Sequence, residues 1–307
     1  MNQGSTRRIV ATLALGALAT SMAACGVARG PIAPMAGYTG ASTYGVNTQS
    51  ADDLRKFGLK FDASTPRVAY VAGSVDSRTP ASTDLRAKCS PIQDQGHIGS
   101  CTGFASEGLA EFRERGLGDD EQLSPGFVYL MELKTDGNLG QDAGSRISTA
   151  VQTLHDYGIS TEALHPYLDP ADQDNPDALS KYLSDLPSSA AMQDAATRKI
   201  PGAQKIANLA AFKQSIAAGK PVIFGIMVYK SFMSADAKKT GVIPQPNPNT
   251  EQLLGGHAIL AVGYNDAKQQ VIFRNSWSTA WGDHGYGYLP YGYFKGNLAG
   301  DAWSYTN

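Results

Sequence analysis

Apolar residues recur at three- and four-residue steps through the middle of the chain, then in unbroken or alternating runs toward its end. From Cys101 onward, Phe104, Ala105, Gly108, Leu109 and Phe112 share one face of an amphipathic helix. The pattern predicts that it stops at Gly116, because glycine readily takes the left-handed conformation that closes a helix. Ser124 before Pro125 predicts a cap with proline at the first helical position. Phe127, Leu130, Met131 and Leu133 carry that helix to just before Gly137. Residues 145–156 predict a third helix, with Ile147, Val151 and Leu154 apolar and Gly158 as terminator. Asn175-Pro176 opens a weaker one. Residues 208–219 predict another, with Leu209, Phe212 and Ile216 on one face and Gly219 past its end.

After residue 220 the period changes. Residues 222–229 read as a strand apolar on both faces, 257–264 as a second, 270–277 as a third and 285–289 as a fourth, with a turn at Asn265-Asp266. Helices followed by strands predict an α+β fold, with a site where the two halves meet.

The compact region is expected over 81–307. Ahead of it, Arg7 and Arg8 precede a 16-residue apolar run that ends in Ala23-Ala24 and then Cys25. A basic flank, a short apolar stretch and small residues are the features of an export signal over 1–25. The run is too short and too rich in small residues for a membrane span. Residues 26–80 read as a flexible tether or a short pro-region: 26–50 are rich in Gly, Ala, Ser, Thr and Pro with almost no charge. Within 51–80, Arg67-Val68-Ala69-Tyr70-Val71 fits one strand, and this part is either a pro-region or an arm packed on the domain. The chain is 42% hydrophobic and its net charge is −2, which allows a sizeable core and leaves no basic footprint for nucleic acid.

Candidate chemistry centres on Cys101. A thiol at a helix start meets unpaired N–H groups and the positive end of the helix dipole, and both favour thiolate. The alternative is a buried, inert cysteine. The chain has three cysteines, Cys25, Cys89 and Cys101; an exported protein with so few has no disulfide framework. Oxidation could join Cys89 to Cys101, but an inert Cys89 is the simpler reading. Thiol catalysis needs a base, and the base an orienting group. Of five histidines, His257 follows Gly255-Gly256 at the expected mouth of a strand. Asn275 lies at the end of the next strand, placed by the turn to face His257 and accept from one imidazole nitrogen. Trp277 is placed to cover that bond. The Cys101 backbone N–H and the Gln95 side chain are candidate oxyanion donors. His97 is a rival base without an orienting partner in sequence. Cys89, His97 and Cys101 fit no standard zinc spacing, and no metal or cofactor is expected.

Gln95-Gly96-x-x-Gly99-Ser100-Cys101, then Gly256-His257-Ala258, then Asn275-Ser276-Trp277 with Trp281-Gly282 following, closely resembles the papain-like cysteine peptidases, from about Asp84 to about Phe294. Cysteine, histidine and asparagine come in the family's order, with His257 and Asn275 lying 156 and 174 residues after Cys101. Asp84-Leu85-Arg86, Gly219-Lys220-Pro221-Val222 and Leu289-Pro290-Tyr291 look like the bacterial branch. The resemblance implies a two-lobe fold, a helical lobe about 95–205 and a β-barrel-like lobe about 206–307, with a cleft between them. It implies a cysteine-type peptidase acting on peptide or protein through a thioester on Cys101. His257 would be base and acid, Asn275 the orienting group and Gln95 the oxyanion donor. Gly144, Ser145 and Trp277 would touch substrate.

Several positions depart from the family's pattern. Thr102 follows the nucleophile where Trp is usual. Ile98 and Asp142 stand where a disulfide pair is common. Ser145 replaces the second glycine of a Gly-Gly pair, and Ser278 a glycine after Asn-Ser-Trp. None removes a catalytic group; they bear on substrate preference. The same triad would also serve acyl transfer or transglutaminase-like crosslinking, and a non-catalytic binding protein on the same fold is a third reading. Met22-Ala23-Ala24-Cys25-Gly26 resembles a bacterial lipoprotein box, with Met where Leu is usual. That implies lipidation at Cys25, membrane attachment and a periplasmic or outer-membrane-anchored protein; the alternative is simple cleavage and secretion.

Overall fold

The structure, a computed structural model, describes residues 1, 54, 56–61, 67–70 and 79–307. The expected export signal, the lipidation at Cys25 and most of the tether lie outside the described residues.

Helix α1 (Cys101–Leu117) is the central element. It is buried from Cys101 through Phe112 and closes at Gly118, in the left-handed region at φ 93°, two residues beyond the expected stop. Its burial is not confined to the predicted apolar face: Thr102, Ser106, Glu107 and Glu111 are buried too. A helix covered on all sides must satisfy its polar groups internally. Thr102 donates to Glu132, Arg274 donates to Glu107, and Glu111 accepts from the Leu123 amide. Helix α2 (Pro125–Thr135) is capped by the Ser124 hydroxyl, which accepts from the Phe127 amide. It lies close against α1, because a Cβ at Gly103 would come within 2.5 Å of the Pro125 carbonyl oxygen. Helices α3 (Ile147–Asp156), α4 (Pro176–Ser184) and α5 (Ser189–Ala195) complete this half. Asn175 caps α4 as its sequence suggests, whereas α5 has too few apolar positions to stand out in sequence.

The other half is an antiparallel sheet. Its strands are β1 (Ser82–Asp84), β2 (Ala203–Ile206), β3 (Val222–Tyr229), β4 (Leu253–Asn265), β5 (Gln270–Arg274), β6 (Tyr286–Pro290) and β7 (Ala299–Tyr305). Helix α6 (Leu209–Ala217) precedes β3, α7 (Ala235–Thr240) follows it, and α8 (Gly292–Lys295) precedes β7. The order is β2-β7-β3-β4-β5-β6 with β1 also on β4. Among the described residues the sheet is open, with β2 and β6 at its edges, rather than a closed barrel. Strand β4 begins at Leu253, so His257 lies within the strand, opposite Ile226, and not at its mouth. β1, β2 and β7 are strands the sequence pattern does not reveal. Phe212, Phe224 and Phe294 pack edge-to-face and stacked where α6 meets β3, and α1 packs on β4.

Candidate active site

Cys101 is the first residue of α1 and is fully buried. Its Sγ accepts from the Ala258 amide at 3.5 Å, the residue next to His257. The Gly58 and Thr102 amides also point at the sulfur. The helical half thus delivers the thiol to β4, the strand that carries His257. His257 Nε2 is 2.8 Å from Asn275 Oδ1. An amide oxygen only accepts, so Nε2 carries the proton and Nδ1 is the nitrogen left for chemistry; it is buried and makes no hydrogen bond. Trp277 stacks on the His257 ring at 4.7 Å between centroids and 24° between planes, which keeps water from the histidine–asparagine bond. Asn275 sits just past β5, where its own amide donates to the Gly285 carbonyl.

Gln95 is fully buried with its amide fixed at both ends. The Ser276 hydroxyl donates to Oε1 at 2.5 Å, which aims Nε2 at the carbonyls of Ile98 and Lys56. Its loop is pinned by Gln173, whose Oε1 accepts from the His97 amide at 2.6 Å and whose Nε2 donates to the Gln95 carbonyl at 3.1 Å. Sequence reading missed Ser276 and Gln173. Ser276 adjoins a singled-out residue, but Gln173 stands in an unremarkable stretch. Asp142 accepts from the Gly99 amide with both oxygens at 3.0 Å, so a carboxylate joins the two loops. Of the remaining histidines, His155 pairs with Asp156 on the surface, and burial pushes His165 down to about 4. Cys89 and Cys101 are free thiols, and Cys89 Sγ donates to the Leu85 carbonyl at 3.6 Å.

Residues 56–61 run through the site as a strap. The Ser145 amide donates to the Gly58 carbonyl at 3.0 Å, the Lys60 amide to the Ser145 carbonyl at 2.8 Å, and the Leu59 amide to the Gly256 carbonyl at 3.2 Å. Phe57 packs edge-on to His257 and Trp277, and Leu59 is 1% exposed. The approach is backbone to backbone: a Cβ at Gly58 would stand 1.8 Å from the Gly99 carbonyl oxygen. This burial sets the local electrostatics. It raises the Cys101 thiol to about 12 despite three amides that favour thiolate, with the Glu132 charge adding to the rise. It lowers His257 to about 4, with Asn275 opposing the fall and Lys56 adding to it. Under the strap, thiol and imidazole are both neutral.

A thiol at a helix start, an imidazole whose far nitrogen is held by an amide, and a fixed glutamine donor define a thiol-dependent hydrolase site. The chain belongs to the papain family of cysteine proteases, whose sequence pattern it matches over residues 79–302. It is therefore a cysteine peptidase, acting on peptide or protein substrates. An uncharacterised peptidase C1-like protein of Acanthamoeba polyphaga mimivirus is 32% identical over 275 residues, 83% of this chain and 84% of that one. Cathepsin K of Gallus gallus is 33% identical over 238 residues, 75% of this chain and 65% of its own length. Among solved structures, xylellain, a cysteine protease from Xylella fastidiosa, is similar with a TM-score of 0.71 and 31% identity, over 82% of this chain and 97% of that one. Among the described residues no group of three or more histidine, cysteine, aspartate or glutamate side chains could hold a metal, and no helix is long and apolar enough to cross a membrane.

Proposed function

We propose that Cys101, His257, Asn275 and Gln95 carry the peptidase chemistry and that residues 56–61 hold it latent. With the strap withdrawn, water re-enters, the desolvation of both groups falls, and the proton passes from sulfur to His257 Nδ1. The thiolate attacks the peptide carbonyl carbon. The oxyanion is held by the Cys101 amide and Gln95 Nε2. Nδ1 gives its proton to the leaving amine and a thioester remains. Water, deprotonated by the same nitrogen, then releases the acid and restores the thiol.

The observation that carries latency is how the strap occupies these groups. Its Lys56 carbonyl takes the Gln95 donor, as a substrate carbonyl would. The Gly58 amide points at the sulfur, so the strap meets the thiol with a hydrogen-bond donor. The test is the full chain carrying Gly58→Val, whose side chain cannot pass the Gly99 carbonyl. It is expected to label at Cys101 with a thiol reagent and cut an unfolded protein at least tenfold faster than the wild type, with both lost on adding Cys101→Ala. Equal rates for wild type and Gly58→Val would remove the strap from regulation; cutting that survives Cys101→Ala would remove the thiol from the chemistry.

The reading of 1–25 as an export signal, with lipidation of Cys25 and attachment to a bacterial membrane facing the periplasm, rests on sequence alone. The intact mass of the processed protein checks it: a diacyl- or triacylglyceryl addition at Cys25 supports the anchor, and an unmodified N-terminus near residue 25 supports secretion.

A further inference from the structure

Two positions that depart from the family's pattern, Thr102 and Ser145, meet at one side chain. Glu132 on α2 is fully buried. Its Oε2 accepts from Thr102 Oγ1 at 2.5 Å. Its Oε1 and the Ser145 hydroxyl are each buried without a hydrogen bond, and that hydroxyl is near enough to favour the ionised carboxylate. Thr102 is the residue after the thiol, and Ser145 is the edge on which the strap, and by extension a substrate backbone, is paired. We propose that Glu132 is a positioning residue for this reaction: through Thr102 its carboxyl holds the turn that carries the sulfur, and its second oxygen is left for the edge that binds the substrate backbone.

The inference rests on reading Cys101 as the nucleophile. Burial pushes Glu132 up to about 8; the Thr102 and Ser145 hydroxyls oppose this, and Asp136 adds to it. The groups that feel its charge are Cys101 on α1 and Tyr129 on its own helix. Glu132 is therefore neutral over most of the physiological range and becomes an anion beside the sulfur near pH 8.

The test uses full-length chains with and without Gly58→Val, so that Cys101 is read both when the strap lifts spontaneously and when it is displaced. The alkylation rates of Cys101 by iodoacetate and by iodoacetamide are compared from pH 6 to 9.5. In the wild type the iodoacetate-to-iodoacetamide ratio should fall severalfold more steeply above pH 8 than in Glu132→Gln, whose amide oxygen can still accept from Thr102 but carries no charge. In peptide hydrolysis, Thr102→Val should lower kcat about tenfold with KM nearly unchanged, and Thr102→Ser should restore it. Superposable ratio profiles for wild type and Glu132→Gln, or equal kcat in Thr102→Val and Thr102→Ser, would overturn the proposal. Labelling decides the matter even where no peptide is cut, so a failure here is separable from a failure of the peptidase mechanism.

Discussion

At the scale of single residues, the site works through orientation. A glutamine amide rotates freely in water, but Gln95 has its oxygen bonded to Ser276 and its nitrogen directed at the strap carbonyl. Removing an oxyanion donor of this kind lowers kcat about 10²–10³-fold, so Gln95→Ala in the Gly58→Val chain should do the same while Cys101 still alkylates normally. Asn275→Ala should lower kcat about 10²-fold or more, because His257 loses the partner that keeps Nδ1 free; steady-state kinetics on one peptide substrate checks both. Cys101, His257, Asn275 and Gln95 were legible in the sequence because each sits in a short motif whose glycines and aromatic residues mark it. Ser276 and Gln173 bond Gln95 across 181 and 78 residues of chain, and Glu132 bonds Thr102, beside the thiol, across 30. No local pattern announces such a contact, since a buried polar side chain is defined by a partner that only folding supplies.

At the scale of elements, α1 and β5 are joined by a buried ion cluster. Arg274 is 5% exposed and faces Glu107 at 3.3 Å and Glu111 at 3.9 Å, and it also donates to the carbonyls of Ser90 and Pro91. Burial and the Glu111 charge push Glu107 well above the carboxylate range, and Arg274 pulls it back. Removing the guanidinium takes the donor from the Glu107–Glu111 pair and from the Ser90 and Pro91 carbonyls in a dry site, so Arg274→Met should destabilise the fold by about 3–5 kcal/mol, measured by urea unfolding. Elements with a strong period are legible: α1, α2, α3, α6 and β3 fall within two residues of expectation. β4 extends four residues before the expected 257–264, because Gly255-Gly256 look like a strand breaker in sequence. In the structure, glycine is present because the strap backbone lies there: a Cβ at Gly256 would be 2.4 Å from the Leu59 carbonyl oxygen. β7 escaped notice because Gly300 and Asp301 interrupt any alternation, although Asp301 is buried and accepts from its neighbour Trp303.

At the scale of the whole molecule, the question is what proton balance the strap imposes on the site. Taken alone, His257 is lowered by burial from the ordinary 6.5 to about 4 in the strapped site. The closed state would then bind fewer protons below pH 6.5, and closure would weaken by about 1.4 kcal/mol per pH unit on acidification. The two groups are coupled, however, and the pair must be counted together. Closed, it holds one dissociable proton on sulfur. Open, as thiolate and imidazolium, it holds one on nitrogen. Proton numbers match, so closure should be flat between about pH 5 and pH 8. Alkali breaks the balance: the open imidazolium loses its proton while the closed thiol, raised to about 12, keeps its own. The closed state then binds more protons, and its stability falls as pH rises above about 9. Lys56 also rides on the strap near His257, and its charge leaves the site with the strap, which favours the open imidazolium further. The check is the ratio of Cys101 labelling rates, wild type to Gly58→Val, with a neutral disulfide reagent across pH 4.5–10. The ratio should stay within about twofold from pH 5 to 8 and climb beyond 9. A tenfold rise per unit on going below pH 6.5 would mean that the open pair is not ionised, and the thiolate–imidazolium step of the mechanism would fail with it.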